Sequence, residues 1–209
     1  MADNTSQTNS IGPADLKSLL QGTFLANVIY FRETDSTNTR AIELLAAGDS
    51  VATPCLVYAE SQSAGRGRGG NQWWSTGGSL TFSLIVDLKR IGLSVDQIPL
   101  LPLLTGMAIL RTGAAMLPGA DFKLKWPNDV FLVGRKLAGV LIEVPSQADA
   151  HAVIGVGLNV NNSFANAPEE LSLTGISLSD QRDAKLSRIE VLRTLLCLLY
   201  TSPSPRDRG

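Results

Sequence analysis

Histidine is almost missing from this chain: His151 is the only one in 209 residues. That excludes a histidine-based metal cluster. With serine and aspartate scattered, His151, at an expected turn, reads as a surface or packing residue rather than as part of a hydrolytic triad. Cysteine is nearly as scarce. Cys55 and Cys197 both lie in apolar runs, which suits buried, reduced thiols better than a disulfide. Charge of either sign is not in excess. The net value of −1 gives no overall pull toward DNA, RNA or an anionic membrane. No apolar run is long enough to read as a membrane span, and the polar stretch Met1–Gly12 lacks the charged start and apolar run of a secretory signal. The expectation is a cytoplasmic protein without nucleic-acid or membrane partners. At 44% hydrophobic and 18% charged residues, the chain suits one substantial domain that buries its core without disulfides or metals.

What is present alternates between strand and helix signals without a strict βαβ rhythm. Residues 1–24 read as a polar, flexible lead-in, with a helical turn or two over Ala14–Leu20. Asn27–Phe31 reads as a strand. Asp35 or Ser36 then offers an N-cap for a helix to Ala47, with Ala41, Leu44 and Leu45 as its apolar face and Gly48 as its stop. Further strands are expected over Pro54–Ala59, Ser79–Leu88 and Ala152–Val160, and long helices over Ile98–Met116 and Ile189–Leu199. Phe122–Lys125 is a short strand, and Val130–Val133 with Lys136–Val144 forms a hairpin around a Gly134-Arg135 turn. Hairpins mixed with helices predict an α+β domain: a mixed, largely antiparallel sheet backed by helices.

Glu60–Gly78 is a long, glycine-rich stretch, the kind of segment that is usually functional inside a compact domain. Gly65-Arg66-Gly67-Arg68-Gly69-Gly70 matches G-x-G-x-x-G, but a dinucleotide site needs a helix to open there, and the sequence runs on instead into Trp73, Trp74 and a strand. Anion binding remains: glycines bring backbone N–H groups close to phosphate oxygens, and Arg66 and Arg68 present permanently charged forks. Trp73 or Trp74 offers a flat face for a purine. The bland alternative is a solvent loop kept soluble by its arginines.

A second polar constellation follows. Lys125-Trp126-Pro127-Asn128-Asp129 ends a strand in a rigid turn, and a hairpin can bring Asp129 near Lys136. Lys136 would suit a reacting carboxylate and phosphate, and Gly139 a close backbone approach. Spacing alone equally fits an exposed hairpin with a surface ion pair. Gly155 and Gly157 interrupt an apolar strand that ends in Asn159. Ser36-Thr37-Asn38 stand at a helix start, where they serve either as caps or as contacts to a polar ligand.

Taken in order, Asp35-Ser36-Thr37-Asn38, Gln62 with Gly65-Arg66-Gly67-Arg68, Lys125-Trp126-Pro127-Asn128-Asp129, Arg135-Lys136-Leu137-Ala138-Gly139 and Gly155-Val156-Gly157-Leu158-Asn159-Val160 resemble the biotin–protein ligases. The resemblance implies a fold related to class II aminoacyl-tRNA synthetases. It also implies a two-step reaction: biotin and Mg-ATP give biotinyl-adenylate, and a lysine of a biotin carboxyl carrier domain, of the acetyl-CoA carboxylase type, takes the biotin. By position, Ser36, Thr37, Asn38 and Gln62 resemble the contacts to the ureido ring. Gly65, Arg66, Gly67 and Arg68 resemble the loop over biotin and the adenylate phosphate, and Lys136 the lysine near the carboxylate and α-phosphate. Trp73 and Asn159 resemble the residues about adenine, Gly139 a site of close approach, and Asp129 a helper in orientation. Catalysis would rest on Lys136, Arg68 and Asp129, with no protein metal ligands, in a monomer or homodimer.

The sequence departs from the family in places. Gly69-Gly70-Asn71 replaces more basic residues. The short segment before the first strand leads us to expect an enzyme-only type without a DNA-binding domain. The catalytic domain is expected over 25–196, and residues 197–209 read as a tail unlike the family's, without its C-terminal β domain. The competing readings are a lipoate or octanoate ligase of the same superfamily, a truncated non-catalytic binder of biotin or nucleotide, and, least of all, a repressor.

Overall fold

The computed structural model describes residues 10–47, 51–146 and 150–201. The outer part of the lead-in (1–9), Gly48 as a helix stop, and the end of the tail (202–209) lie outside these. Within the stretch read as a lead-in, helix α1 (Pro13–Ser18) forms with a proline in its first turn, and Ile11, Leu16 and Leu19 are buried in the main core.

Strand β1 (Asn27–Thr34) is followed by helix α2 (Thr37–Ala46) and strand β2 (Cys55–Gln62). The helix supplies the crossover that parallel neighbours need, and β1 and β2 are parallel. The remaining strands, β3 (Leu80–Asp87), β4 (Phe122–Lys125), β5 (Asp129–Leu132), β6 (Arg135–Glu143) and β7 (His151–Leu158), pair antiparallel. The seven-stranded order is β1-β2-β3-β7-β6-β5-β4, the mixed, largely antiparallel sheet expected. Strands β1 and β2 run further than expected, to Thr34 and Gln62.

Helices α3 (Leu101–Met116) and α5 (Arg188–Thr201) pack against each other, and Ile109, Val191 and Leu195 close the main core with Leu56, Leu84 and Val156. Residues 188–201 are one helix, so it continues past residue 196, where the tail was placed. Helix α4 (Glu169–Thr174) and a 3₁₀ turn at Leu178–Gln181 have no counterpart in the sequence reading, being too short to show a period. A 3₁₀ segment runs into α3, so Asp96–Met116 forms a continuous stretch of 21 residues, 18 of which in succession reach a mean hydropathy of 1.4 and meet the length and composition of a membrane span. This corrects the expectation that none would. Leu101, Ala108 and Ile109 of that helix are buried against the sheet.

On the opposite face lies α2, whose Ala41 packs with Cys55, Val57, Ile85 and Val153. Cys55 is buried but Cys197 is exposed, against the expectation of two buried thiols. Burial pushes the Cys55 thiol from 9.0 up to about 11. The native state therefore holds this proton where the unfolded chain releases it, and the stability it contributes below pH 9 is lost as pH rises through that window. Cys55→Ala is expected to give a shallower fall of urea midpoint between pH 9 and 11, whatever its effect at neutral pH.

The hairpin turn is Val133-Gly134, one residue earlier than expected. Both residues have positive φ, 44° and 79°, as a two-residue turn matched to the strand twist requires. Arg135 is thus the first residue of β6, paired with Leu132.

Candidate functional site

Since α2 covers only part of its face, the middle of β6 and β7 is left for other groups. There the strands place glycines at neighbouring positions: Gly139 pairs with Gly157, and Gly155 lies across from Leu141. A Cβ at Gly155 would collide with the Asn38 carboxamide, and one at Gly157 with the Trp73 indole. These two glycines let side chains lie directly on the sheet. Above them is a cavity of about 480 Å³, within the range of small-molecule sites. Gly157→Ala is expected to lift the Trp73 indole from the sheet, shifting tryptophan emission to the red with little change in far-UV circular dichroism.

One wall is the start of α2. Ser36 occupies the N-cap position, yet its side chain makes no capping bond. Gln62 Oε1 instead accepts from the Thr37 backbone N–H (2.7 Å) and from Thr37 Oγ1 (3.1 Å). Ser83 Oγ lies 2.8 Å from Thr37 Oγ1 and donates to Asn38 Oδ1 at 2.6 Å. Asn38 Nδ2 donates to Glu143 Oε2 at 2.8 Å. Ser36, Thr37 and Asn38 are all buried, so an ordered polar network closes this end. Before it, Asp35 accepts from the Ser36 N–H (2.7 Å) and faces Arg40 (3.1 Å). Burial raises its pKa, but the Ser36 N–H, Thr34 and Arg40 together outweigh it and hold the carboxyl below its ordinary 3.8.

The roof is the glycine–arginine segment. It folds back on itself: Trp73 N–H donates to Gly65 O (2.9 Å), Arg66 bridges Gln72, and Gly67 N–H donates to Asn71 O (2.8 Å) around a 3₁₀ turn at Arg68–Gly70. Arg66 NH2 pairs with Glu143 Oε1 at 2.6 Å. Arg68 makes no ion pair among the described residues and is exposed at the cavity rim.

The far wall comes from the hairpin. Lys136 Nζ sits 2.9 Å from Asp129 Oδ1, in ionic contact but not aligned as a hydrogen bond. A register shift explains how Lys136 gets there. Val130 pairs with Ala138 but Phe131 with Lys136, so β6 carries one extra residue, Leu137. Strict alternation would put Lys136 on the face opposite Gly139. The bulge re-aims it, and both line the cavity.

Of the residues singled out from sequence, Ser36, Thr37, Asn38, Gln62, Arg66, Gly67, Arg68, Trp73, Asp129, Lys136 and Gly139 border this one cavity. Gly65 and Asn159 do not. Gly65 is buried beneath the Trp73 backbone, where a Cβ would meet Trp73 O at 2.6 Å. Asn159 is buried at the end of β7, its Nδ2 3.5 Å from Lys136 O and its Oδ1 accepting from Asn162. Sequence reasoning passed over Ser83, Glu143 and Asn128, whose Nδ2 donates to Val140 O. The available signals were a serine within the apolar run of β3 and the place of Asn128 in the Lys125–Asp129 motif. A second cavity, about 580 Å³ between α3, α5 and the sheet, is lined mainly by apolar side chains and offers Arg90 as its one charge. The chemistry belongs to the first.

The sequence profile of the biotin/lipoate A/B protein ligase family matches residues 30–161. A biotin–[acetyl-CoA-carboxylase] ligase of Mycobacterium tuberculosis is 38% identical over 166 residues, covering 78% of this chain and 59% of the relative. The bifunctional ligase/repressor BirA of Bacillus subtilis is 34% identical over 173 residues, 81% of this chain and 51% of the relative. The chain thus spans about half the length of the curated relatives it matches. Among solved structures, the biotin protein ligase of Aquifex aeolicus in complex with biotin and ATP superimposes with a TM-score of 0.72 at 30% identity, over 85% of this chain and 70% of that one.

Proposed function

The chain belongs to the biotin/lipoate A/B protein ligase family, and on that premise we propose that it activates biotin with ATP and passes it to a lysine of a biotin carboxyl carrier domain. The observation that carries this reading is the meeting of Arg66, Arg68 and Lys136 with the Thr37–Asn38–Gln62 network around one cavity. In the first step a biotin carboxylate oxygen attacks the α-phosphorus of ATP. The bond to the bridging oxygen breaks, and pyrophosphate leaves with the electron pair. Two anions must meet, and Lys136 with the loop arginines offsets their repulsion where charge develops on phosphorus. In the second step the carrier lysine's neutral amine attacks the acyl carbon and AMP departs.

Ser36, Thr37, Asn38 and Gln62 supply the hydroxyl and amide groups that a cyclic urea would need as donors and acceptors. This polar end favours biotin over lipoate or octanoate, whose aliphatic chains call for an apolar tunnel. Trp73 borders the cavity with its indole seated on Gly157, a placement that suits an aromatic platform for a purine. Mg²⁺ neutralises phosphate charge when it is bound. No group of three acidic, histidine or cysteine side chains is gathered among the described residues to hold it, so it fits here as an ion carried in by the triphosphate. Calorimetry separates the acids: biotin is expected to bind, and lipoate or octanoate binding in its place would overturn the reading.

A further inference from the structure

Both oxygens of Glu143 are engaged by residues of the cavity wall: Oε1 by Arg66 NH2 at 2.6 Å and Oε2 by Asn38 Nδ2 at 2.8 Å. Glu143 itself does not border the cavity. It stands at the end of β6, two residues beyond Leu141 on the same face, and its partner across the sheet is Val153. Through this side chain Asn38, at the start of α2, is tied to Arg66 of the glycine–arginine roof. Its carboxylate takes from Arg66 the contact that a ligand's carboxylate or phosphate would otherwise receive. The two side chains are 44% and 22% exposed, and ion pairs this open are weak enough to exchange.

We propose that Glu143 is a positioning residue that holds Arg66 as an internal counter-ion between catalytic cycles and yields the guanidinium when an anionic ligand enters. This rests on the reading of the cavity as an acid-activating site. When the ligand arrives, Arg66 leaves Oε1 while Asn38 keeps Oε2, so the carboxylate stays anchored and can take Arg66 back on product release. Because the pair is broken on binding, Glu143 sets the margin by which the site prefers an acid over its neutral analogue, in addition to holding the roof in place.

Glu143→Gln keeps an amide oxygen for Asn38 and removes the charge that holds Arg66. Two measurements on the whole chain test the proposal: trypsin cleavage after Arg66, and calorimetry with biotin and with biotin amide, which lacks the carboxylate. Cleavage is expected to rise about three- to fivefold, and the preference for biotin over its amide to rise by a similar factor, about the worth of an exposed pair. Glu143→Ala, which also deprives Asn38 of its acceptor, is expected to weaken both ligands while keeping the raised preference for biotin over its amide. In Glu143→Gln, cleavage or ligand preference remaining at the wild-type value would overturn the proposal. Wild-type protein that binds neither ligand would instead remove the proposed function, and the cleavage comparison alone would then decide whether Glu143 holds Arg66.

Discussion

Lys136→Ala is expected to lower biotin-dependent pyrophosphate exchange on the order of 10²- to 10³-fold, the usual consequence of deleting one well-placed donor to a developing charge. The ammonium is poised by Asp129 at 2.9 Å and is brought to the cavity face by the extra residue in β6. The polar network at the α2 end does not touch it, so biotin affinity should change far less than the exchange rate. A loss in rate with near-normal affinity is the mark of an interaction made chiefly in the transition state. Lys136→Arg should not restore the rate, because a planar fork cannot replace a compact ammonium beside Asp129. Exchange by Lys136→Ala at the wild-type rate would remove Lys136 from the chemistry.

The second large effect concerns stability. Arg188 of α5 is almost wholly buried, with its side chain 1% exposed. It pairs with Glu60 at 2.8 Å, donates to Ser79 O at 2.7 Å and reaches the Tyr58 hydroxyl at 3.2 Å. Glu60 also accepts from the Ile11 backbone N–H at 2.7 Å, so one ion pair fastens α5, β2, the start of β3 and the segment before α1. Burial raises the Tyr58 phenol, and Glu60 adds to that while Arg188 opposes it. Arg188→Ala leaves a carboxylate and a carbonyl without their partner. The expected loss is about 3–5 kcal/mol, nearer the lower value because Glu60 keeps 18% exposure. Urea unfolding would show a lower midpoint at unchanged slope. Arg193→Ala is the control: its pair with Glu190 spans 3.9 Å at the surface, and its removal should cost under about 1 kcal/mol.

Local signals carried much of the architecture. Alternation marked Phe122–Lys125 to the residue, and the apolar period of 98–116 located α3. What escaped were features decided by partners distant in sequence. Period-two reasoning puts Lys136 and Gly139 on opposite faces, and only the pairing of β5 with β6 shows the bulge that unites them. Ser36 looks like a cap, but the helix N–H is satisfied by Gln62, 25 residues on from Thr37. Glu143 reads as an ordinary strand-end charge until Arg66, 77 residues away, is seen on it. Gly155 and Gly157 were legible as points of close approach, though not which side chains approach them. Asn159 has the chemistry for a base contact, but its contacts to Lys136 O and Asn162 were not legible.

The most direct test is to mix the purified chain with ATP labelled at the α-phosphate and one acid at a time, then resolve the products. Biotin should give biotinyl-adenylate and pyrophosphate, and lipoate and octanoate should give neither. A folded chain that forms no adenylate from biotin, or forms it equally from lipoate, would contradict the account.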